Sequence, residues 1–209
     1  MAKLQVAIDL LTTEAALELA AKVAPYVDII ELGTPLIKAE GLKAVTAMKN
    51  AHPDKLVFAD MKTPDTGALE AEIAFQAGAD LVTVMGAVDD ATIKGAVEAA
   101  KKHGKQIVVD TIGVKDRVKR AKEVTAFGVA FVELHAGLDE QALPGYSVET
   151  LINEGKEAQV PFSIAGGVNL NTIKDVVAAG ATVVVAGGAI YGAEDPAEAA
   201  KALKEAIGA

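Results

Sequence analysis

Eight short runs of apolar, mostly β-branched residues recur along the chain. They are LQVAIDL from residue 4, VDIIEL from 27, LVFADM from 56, DLVTVM from 80, QIVVDT from 106, AFVELH from 130, VPFSIA from 160 and TVVVAG from 182. Successive runs start about 25 residues apart, which is the length of a strand, a helix and two short loops. Because the runs are almost continuously apolar, they indicate strands that are covered on both faces.

Helix signals lie between these runs. Capping residues precede three of the predicted helices: Thr12-Thr13 before EAALELAAKV, Asp89-Asp90 before ATIKGAVEAAKKHG, and Asp195-Pro196 before AEAAKALKEAI. Threonine and aspartate satisfy the free amides of a first helical turn, and proline fits its first position. The turns AGAD (77–80), FGVA (127–130) and AGAT (179–182) then lead into the next strand.

The alternation of eight strands with helices in 209 residues predicts a (β/α)₈ TIM barrel, formed by one domain over residues 1–209. A doubly wound open sheet is the alternative. Barrels of this kind carry their chemistry at the carboxyl ends of the strands. Functional polar residues are therefore expected at those ends.

Composition narrows the classes of protein. There is no cysteine, so disulfides and thiolate zinc sites are excluded. The first twenty residues carry Asp9 and Glu14 within their apolar stretch, unlike a signal peptide or membrane span, so we expect a cytoplasmic protein with no membrane partner. The net charge is −9, from 20 basic and 29 acidic residues, which argues against nucleic acid as a partner.

Charged residues gather where the predicted strands end. Asp9 ends the first strand, Glu31 the second, Asp60 and Lys62 the third, Asp110 the fifth, and Glu133 and His135 the sixth. Since side chains alternate along a strand, Asp60 and Lys62 should share a face, as should Glu133 and His135. If that face points inwards, these groups converge on one mouth of the barrel.

Several of these charges also have structural explanations. Asp9 and Asp110 could cap the helices that follow their strands. Asp60 and Lys62 could form a structural ion pair, although a buried pair is weak support for stability. Glu31 and Asp60, two carboxylates from neighbouring strands, suit a hard divalent ion such as Mg²⁺. They could instead only balance the charge of Lys62.

Of the three histidines, only His135 closes a strand. His103 lies in the KKHG end of a helix and His52 precedes a proline, so we expect both to be solvated. We predict a proton-transfer role for His135, which stands near acids and a lysine. Glu133 stays unassigned, because it could form a salt bridge with Lys62 or be an acid at the rim of the core.

Glycine pairs end the last two predicted strands. They are Gly166-Gly167 in SIAGGV and Gly187-Gly188 in VVVAGGAIYG. This matches the recurrent phosphate site of these barrels, where glycine lets backbone amides approach a phosphate and a helix N-terminus faces it. We therefore expect a phosphorylated small molecule as the ligand.

Together these segments resemble the orotidine 5'-monophosphate decarboxylase superfamily. The resemblance rests on the aspartate closing strand one, IIELGTP, the D-x-K-x-x-D of ADMKTPD, ELHAGLD and the paired glycines, and it runs from LQVAIDL to the C-terminus. Within the superfamily, the segments IELGTPLI, AGADLVTVMGA, DDATIKGAV, HAGLDEQA and AGGAIYGA resemble a branch of aldolases.

The resemblance implies an aldol reaction that depends on Mg²⁺, with Mn²⁺ as an alternative metal. In it, D-ribulose 5-phosphate adds to formaldehyde and gives D-arabino-3-hexulose 6-phosphate, the formaldehyde-fixing step of the ribulose monophosphate pathway. The resemblance implies that Glu31 and Asp60 are metal ligands. It implies that Lys62 stabilises an enediolate and that His135 transfers protons.

The resemblance also implies roles for three other acids. Asp9 and Asp110 would position substrate hydroxyls. Asp65 would reach into the site of a neighbouring subunit, which implies a homodimer with shared active sites. Pro64 in TPDTG departs from the pattern of the superfamily, but Asp65 is in its place.

Three other functions stay open. A sister branch decarboxylates 3-keto-L-gulonate 6-phosphate, and it carries an arginine shortly after the histidine, where this chain has Leu138. A barrel that only binds sugar phosphates is the second. The third is an aldolase that forms a Schiff base on Lys62, which two nearby carboxylates disfavour by keeping the amine protonated.

Overall fold

Eight parallel strands close into a barrel in which each strand lies beside its neighbour in sequence, as shown by a computed structural model that describes residues 1–208. The strands are β1 Lys3–Ile8, β2 Ile29–Leu32, β3 Leu56–Thr63, β4 Leu81–Met85, β5 Gln106–Asp110, β6 Phe131–His135, β7 Phe162–Ala165 and β8 Val183–Ala186. Parallel pairing of β1 with β8 completes the closure. The predicted (β/α)₈ TIM barrel is confirmed, and the open-sheet alternative is wrong.

Helices connect the strands. They are α1 Thr13–Val23, α2 Thr34–Glu40, α3 Lys43–Ala51, α4 Gly67–Gln76, α5 Asp90–His103, α6 Arg117–Thr125, α7 Leu138–Gln141, α8 Glu149–Ala158, α9 Ile173–Ala178, α10 Gly188–Tyr191 and α11 Pro196–Gly208. Thr12 caps α1 and Asp195 caps α11 through side-chain oxygens that accept backbone N–H groups. Asp89 stands at the N-cap of α5 without such a bond. No helix within residues 1–208 is long and apolar enough to cross a membrane.

The barrel interior changes from apolar to polar along the strands. Its apolar cluster consists of Ile29, Phe58, Leu81, Val108, Phe131, Ala165, Val183 and Val185. The buried polar residues Glu31, Asp60, Thr83, Asp110 and Glu133 each lie two positions after a member of this cluster. Because side chains alternate along a strand, these polar groups share the inward face and lie nearer the carboxyl ends.

Strand β3 is irregular where it approaches the site. Its register with β4 shifts between Ala59 and Thr63, and Lys62 has a φ of 45°. A left-handed conformation costs a non-glycine residue about 1–2 kcal/mol, and bulges and strained residues cluster at functional sites. Asp60 and Lys62 are in contact, as predicted, although they lie in an irregular part of the strand and regular alternation does not describe it.

Candidate active site

A cavity of about 1140 Å³ opens at the carboxyl ends of the strands. Most of the predicted site residues line it: Asp9, Glu31, Asp60, Lys62, His135, Gly166, Gly167, Gly187 and Gly188. Two predicted residues do not. Asp110 lies beneath the cavity with no exposed surface, and Asp65 is exposed on the loop between β3 and α4.

Asp60 is held by hydrogen bonds to both of its carboxylate oxygens. Its Oδ2 accepts from Thr34 Oγ1 at 2.7 Å and from Lys62 Nζ at 2.8 Å, and its Oδ1 accepts from Thr83 Oγ1 at 2.8 Å. The backbone N–H of Lys62 also donates to Thr83 Oγ1, at 2.9 Å. Neither threonine was predicted as a site residue from the sequence, although Thr83 is the polar member of the apolar run DLVTVM.

Lys62 bridges two acids. Its Nζ lies 2.8 Å from Asp60 Oδ2 and 2.7 Å from Asp110 Oδ2. Burial on its own lowers the pKa of Lys62, but the charges of Asp60, Asp110 and Glu133 outweigh burial and raise that pKa above its usual value. Lys62 is therefore a fixed cation at neutral pH, which makes its amine a poor nucleophile.

Asp110 joins the lysine to the histidine. Its Oδ2 lies 2.8 Å from His135 Nδ1 as well as contacting Lys62, and its Oδ1 accepts the N–H of Ile112 at 2.7 Å. Burial on its own raises the pKa of Asp110, but the charges and hydrogen bonds of His135 and Lys62 prevail and lower it. The buried Asp110 carboxylate contacts Lys62 and His135 and does not line the cavity, so its contact with substrate hydroxyls stays a prediction.

His135 presents its ring to the cavity while Asp110 holds one nitrogen. Burial lowers the pKa of His135, but the adjacent carboxylate of Asp110, with a smaller effect of Glu133, raises it overall. Within residues 1–208, no hydrogen bond engages Nε2 of His135, so that nitrogen is the one available for proton exchange. His52 and His103 lie outside the cavity lining.

Two further acids are buried in the barrel mouth. Glu133 Oε2 accepts from Ser163 Oγ at 3.2 Å, and Glu31 Oε2 accepts from Gln5 Nε2 at 2.7 Å. Burial, followed by the charge of Asp110, raises the pKa of Glu133 to about 7. Burial and the charge of Asp60 raise the pKa of Glu31. In the described residues Glu133 forms no ion pair with Lys62, so that explanation of Glu133 is wrong.

A grouping of three side chains could hold a metal ion. Asp110, Glu133 and His135 each offer a ligand atom within 4.8 Å of the others. Nζ of Lys62 already lies against Asp110 Oδ2, however, so a cation there would have to displace the ammonium. The same ammonium lies 2.8 Å from Asp60 Oδ2, so a cation bound at either carboxylate would share it with Lys62.

Asp9 packs against the turn that follows β2. A Cβ atom on Gly33 would lie 2.0 Å from Asp9 Oδ1, so glycine is required there for the carboxylate to reach the cavity. The helix-capping explanation is wrong for Asp9, since Thr12 caps α1. It is also wrong for Asp110, since Asp116 caps α6.

The glycine pairs shape the cavity wall after β7 and β8. Gly166 and Gly167 have φ values of 112° and 75°, which favour glycine. A Cβ atom on Gly166 would also lie 2.6 Å from the carbonyl oxygen of Ala136. Gly187 is the N-cap of α10, and Gly188 is the first residue of that helix. All four line the same cavity as Lys62.

Comparisons with known proteins agree with this geometry. The family model described as "Orotidine 5'-phosphate decarboxylase / HUMPS family" matches residues 2–203. A 3-hexulose-6-phosphate synthase from Mycobacterium gastri is 68% identical over 98% of this chain and 99% of its own length.

Solved structures give the same picture. A crystal structure of a 3-hexulose-6-phosphate synthase superposes with a TM-score of 0.97 and 69% identity, covering 98% of this chain and 99% of that chain. A ligand complex of KGPDC from Streptococcus mutans has a TM-score of 0.93 and 28% identity, covering 99% of this chain and 97% of that chain. The chain therefore belongs to the orotidine 5'-phosphate decarboxylase / HUMPS family.

Proposed function

We propose that this chain catalyses the 3-hexulose-6-phosphate synthase reaction. D-ribulose 5-phosphate adds through C1 to formaldehyde and gives D-arabino-3-hexulose 6-phosphate, which would fix formaldehyde in the ribulose monophosphate pathway. The observation that carries the proposal is the linked set Asp60, Lys62, Asp110 and His135, which opens on a glycine-lined cavity. Two of the relatives described above carry this activity in their names.

The cavity has the parts that a sugar phosphate needs. Backbone amides at Gly166, Gly167, Gly187 and Gly188 would bind the phosphate, as in other barrels with glycine after strands seven and eight. Asp9 lines the same cavity and would accept hydrogen bonds from sugar hydroxyls. These contacts would place C1 and C2 of the sugar beside Lys62.

We propose Mg²⁺, with Mn²⁺ as the alternative, as the metal, and Glu31 and Asp60 as its ligands. Both carboxylates line the cavity from adjacent strands, and hard oxygen donors suit these ions. Oε1 of Glu31 accepts no hydrogen bond within residues 1–208, so it is available to a cation. A bound divalent ion supplies electrostatic stabilisation of negative charge on sugar oxygens.

The protein side chains would act as follows. Removing a proton from C1, next to the ketone, leaves one negative charge that is shared between C1 and the oxygen of C2. Lys62, fixed by Asp60 and Asp110, places its ammonium where that charge develops, and a preorganised cation costs no reorganisation during reaction. His135 would exchange protons through Nε2, either with C1 or with the new alkoxide.

We also propose a homodimer in which Asp65 completes the site of the partner. Asp65 is exposed and does not line the cavity of its own chain. Its loop directly follows β3, the strand that carries Asp60 and Lys62. An acid at this position is therefore available to a second copy of the chain.

The alternatives have less support. Leu138 lines the cavity and is 73% exposed, so the segment after His135 offers an apolar side chain where the sister decarboxylase branch carries an arginine. A Schiff-base mechanism would need a neutral Lys62, which its two carboxylate partners oppose. A barrel that only binds sugar phosphates would not need this linked set of acids and bases.

The test is formaldehyde consumption in a mixture of enzyme and D-ribulose 5-phosphate, with Mg²⁺ or with a chelator. We expect consumption with Mg²⁺ and none with the chelator. Consumption that persists with chelator would favour the Schiff base. An absence of consumption, together with CO₂ release from 3-keto-L-gulonate 6-phosphate, would favour the decarboxylase.

A further inference from the structure

Gln5 is a buried amide that the proposed reaction does not yet use. It lies on β1 with no exposed surface, at the level of Ile29 on β2 and Val185 on β8, both members of the apolar interior cluster. Its Nε2 donates to Glu31 Oε2 at 2.7 Å. Its Oε1 is buried and has no hydrogen-bond partner within residues 1–208.

The position is costly for an amide. A buried carbonyl oxygen without a partner destabilises a protein by about 1–3 kcal/mol. The neighbours on both adjacent strands are apolar, so an aliphatic residue would fill the site without that cost. Folding alone therefore does not explain a glutamine here, and its single good contact, with Glu31, is the feature left to explain it.

The contact suits a carboxylate that must bind a cation. The neutral N–H group of Gln5 holds Oε2 of Glu31 and adds no positive charge that would offset the carboxylate. A lysine or arginine would fix it equally well but would place a positive charge beside the cation that Glu31 is proposed to bind. Glu31 lines the cavity, and its Oε1 accepts no hydrogen bond within residues 1–208.

We propose that Gln5 is a positioning residue for a divalent cation, which holds Glu31 in the orientation that binds the metal. The inference rests on the proposed function, because it takes Glu31 as a ligand. Groups that hydrogen-bond a metal ligand typically change metal affinity by about 10–100-fold when they are removed. We expect that range here.

Mn²⁺ binding to the substrate-free enzyme, measured from the electron paramagnetic resonance signal of free Mn²⁺, tests the inference without using turnover. Gln5→Met replaces the amide with an apolar side chain of similar length. Ser163→Ala is the matched control, because it removes the buried donor to Glu133 across the barrel. Glu31→Gln tests the metal site itself.

We expect Gln5→Met to weaken Mn²⁺ binding by about 10–100-fold and Ser163→Ala to leave it within about twofold of the wild type. The inference would be overturned if Gln5→Met bound Mn²⁺ as tightly as the wild type. It would also be overturned if Gln5→Met and Ser163→Ala weakened Mn²⁺ binding equally. If Glu31→Gln binds Mn²⁺ like the wild type, the proposed metal site itself is wrong. Gln5→Leu provides a second apolar variant if Gln5→Met does not give the circular dichroism of the folded protein.

Discussion

The carboxylate of Asp110, which solvent does not reach, lies 2.7 Å from the ammonium of Lys62. The same oxygen lies 2.8 Å from Nδ1 of His135. One buried acid therefore contacts both Lys62 and His135, two side chains that line the cavity. If Lys62 and His135 act on the substrate as proposed, Asp110 orients both of them, and its contact with substrate hydroxyls stays a prediction.

Asp110→Asn should lower the pKa of His135. In the wild type the charge of Asp110 outweighs burial and favours the imidazolium. Without that charge, burial and the nearby Lys62 favour the neutral ring against the smaller effect of Glu133. The His135 resonance should therefore titrate at lower pH in nuclear magnetic resonance spectra. Asp116→Asn, which removes a charge from the loop before α6, is the control. It should leave the pH at which the His135 resonance titrates unchanged. An unchanged titration in Asp110→Asn would contradict the linkage.

Lys62→Ala should reduce kcat/KM by about 100-fold or more, the scale for loss of one preorganised charge, and Asp60→Ala should also remove most activity. The fold should persist in Lys62→Ala, since Asp110 retains His135 and the N–H of Ile112. Circular dichroism checks the fold.

Lys49→Ala is the matched control for Lys62→Ala. Lys49 forms an ion pair of 2.8 Å with Asp80, which precedes β4 at the opposite end of the barrel. Its loss should leave turnover near that of the wild type. Near wild-type turnover in Lys62→Ala would overturn the assignment of Lys62.

Glu133 should make the metal-free protein less stable as pH rises. Burial and the charge of Asp110 raise its pKa from the usual 4.5 to about 7 in the folded state. Between these values the folded protein retains a proton that the unfolded chain has lost, so stability falls by up to about 3 kcal/mol across this window. Glu133→Gln should flatten that part of the pH dependence.

Urea denaturation with chelator measures the effect when it is done at about pH 5 and about pH 7.5, because this interval covers most of the window. Glu157→Gln, a change at an exposed acid of α8, should keep the slope of the wild type. His135 acts in the same direction, because its pKa is also raised and its contribution is lost as pH rises through that pKa. A slope in Glu133→Gln equal to that of the wild type would contradict the assignment to Glu133.

Mixing inactive Asp65→Ala with inactive Lys62→Ala should restore activity if sites are shared between subunits. About half of the dimers would then be mixed, and each would have one intact site, so about a quarter of the wild-type activity is expected. Mixing Asp60→Ala with Lys62→Ala is the control, because both changes affect residues of the same chain's site and no intact site can form. No rescue in the first mixture would argue against shared sites.

The apolar runs predicted the barrel because strands covered on both faces leave a strong and regular pattern. Strand ends likewise pointed to Glu31, Asp60, Lys62 and His135. Three features left no such pattern. The bulge at Lys62 depends on pairing with β4, the burial of Asp110 depends on what covers it, and the link from Gln5 to Glu31 joins residues far apart in sequence.

Hydrogen exchange at C1 of D-ribulose 5-phosphate tests the central claim most directly. The sugar phosphate is incubated with enzyme in D₂O without formaldehyde, and deuterium at C1 is followed by nuclear magnetic resonance. If a divalent ion and Lys62 together stabilise the charge left by the C1 proton, deuterium should enter with Mg²⁺ and not with chelator, and not in Lys62→Ala. Exchange that continues at the wild-type rate in chelator, or in Lys62→Ala with Mg²⁺, would contradict the account.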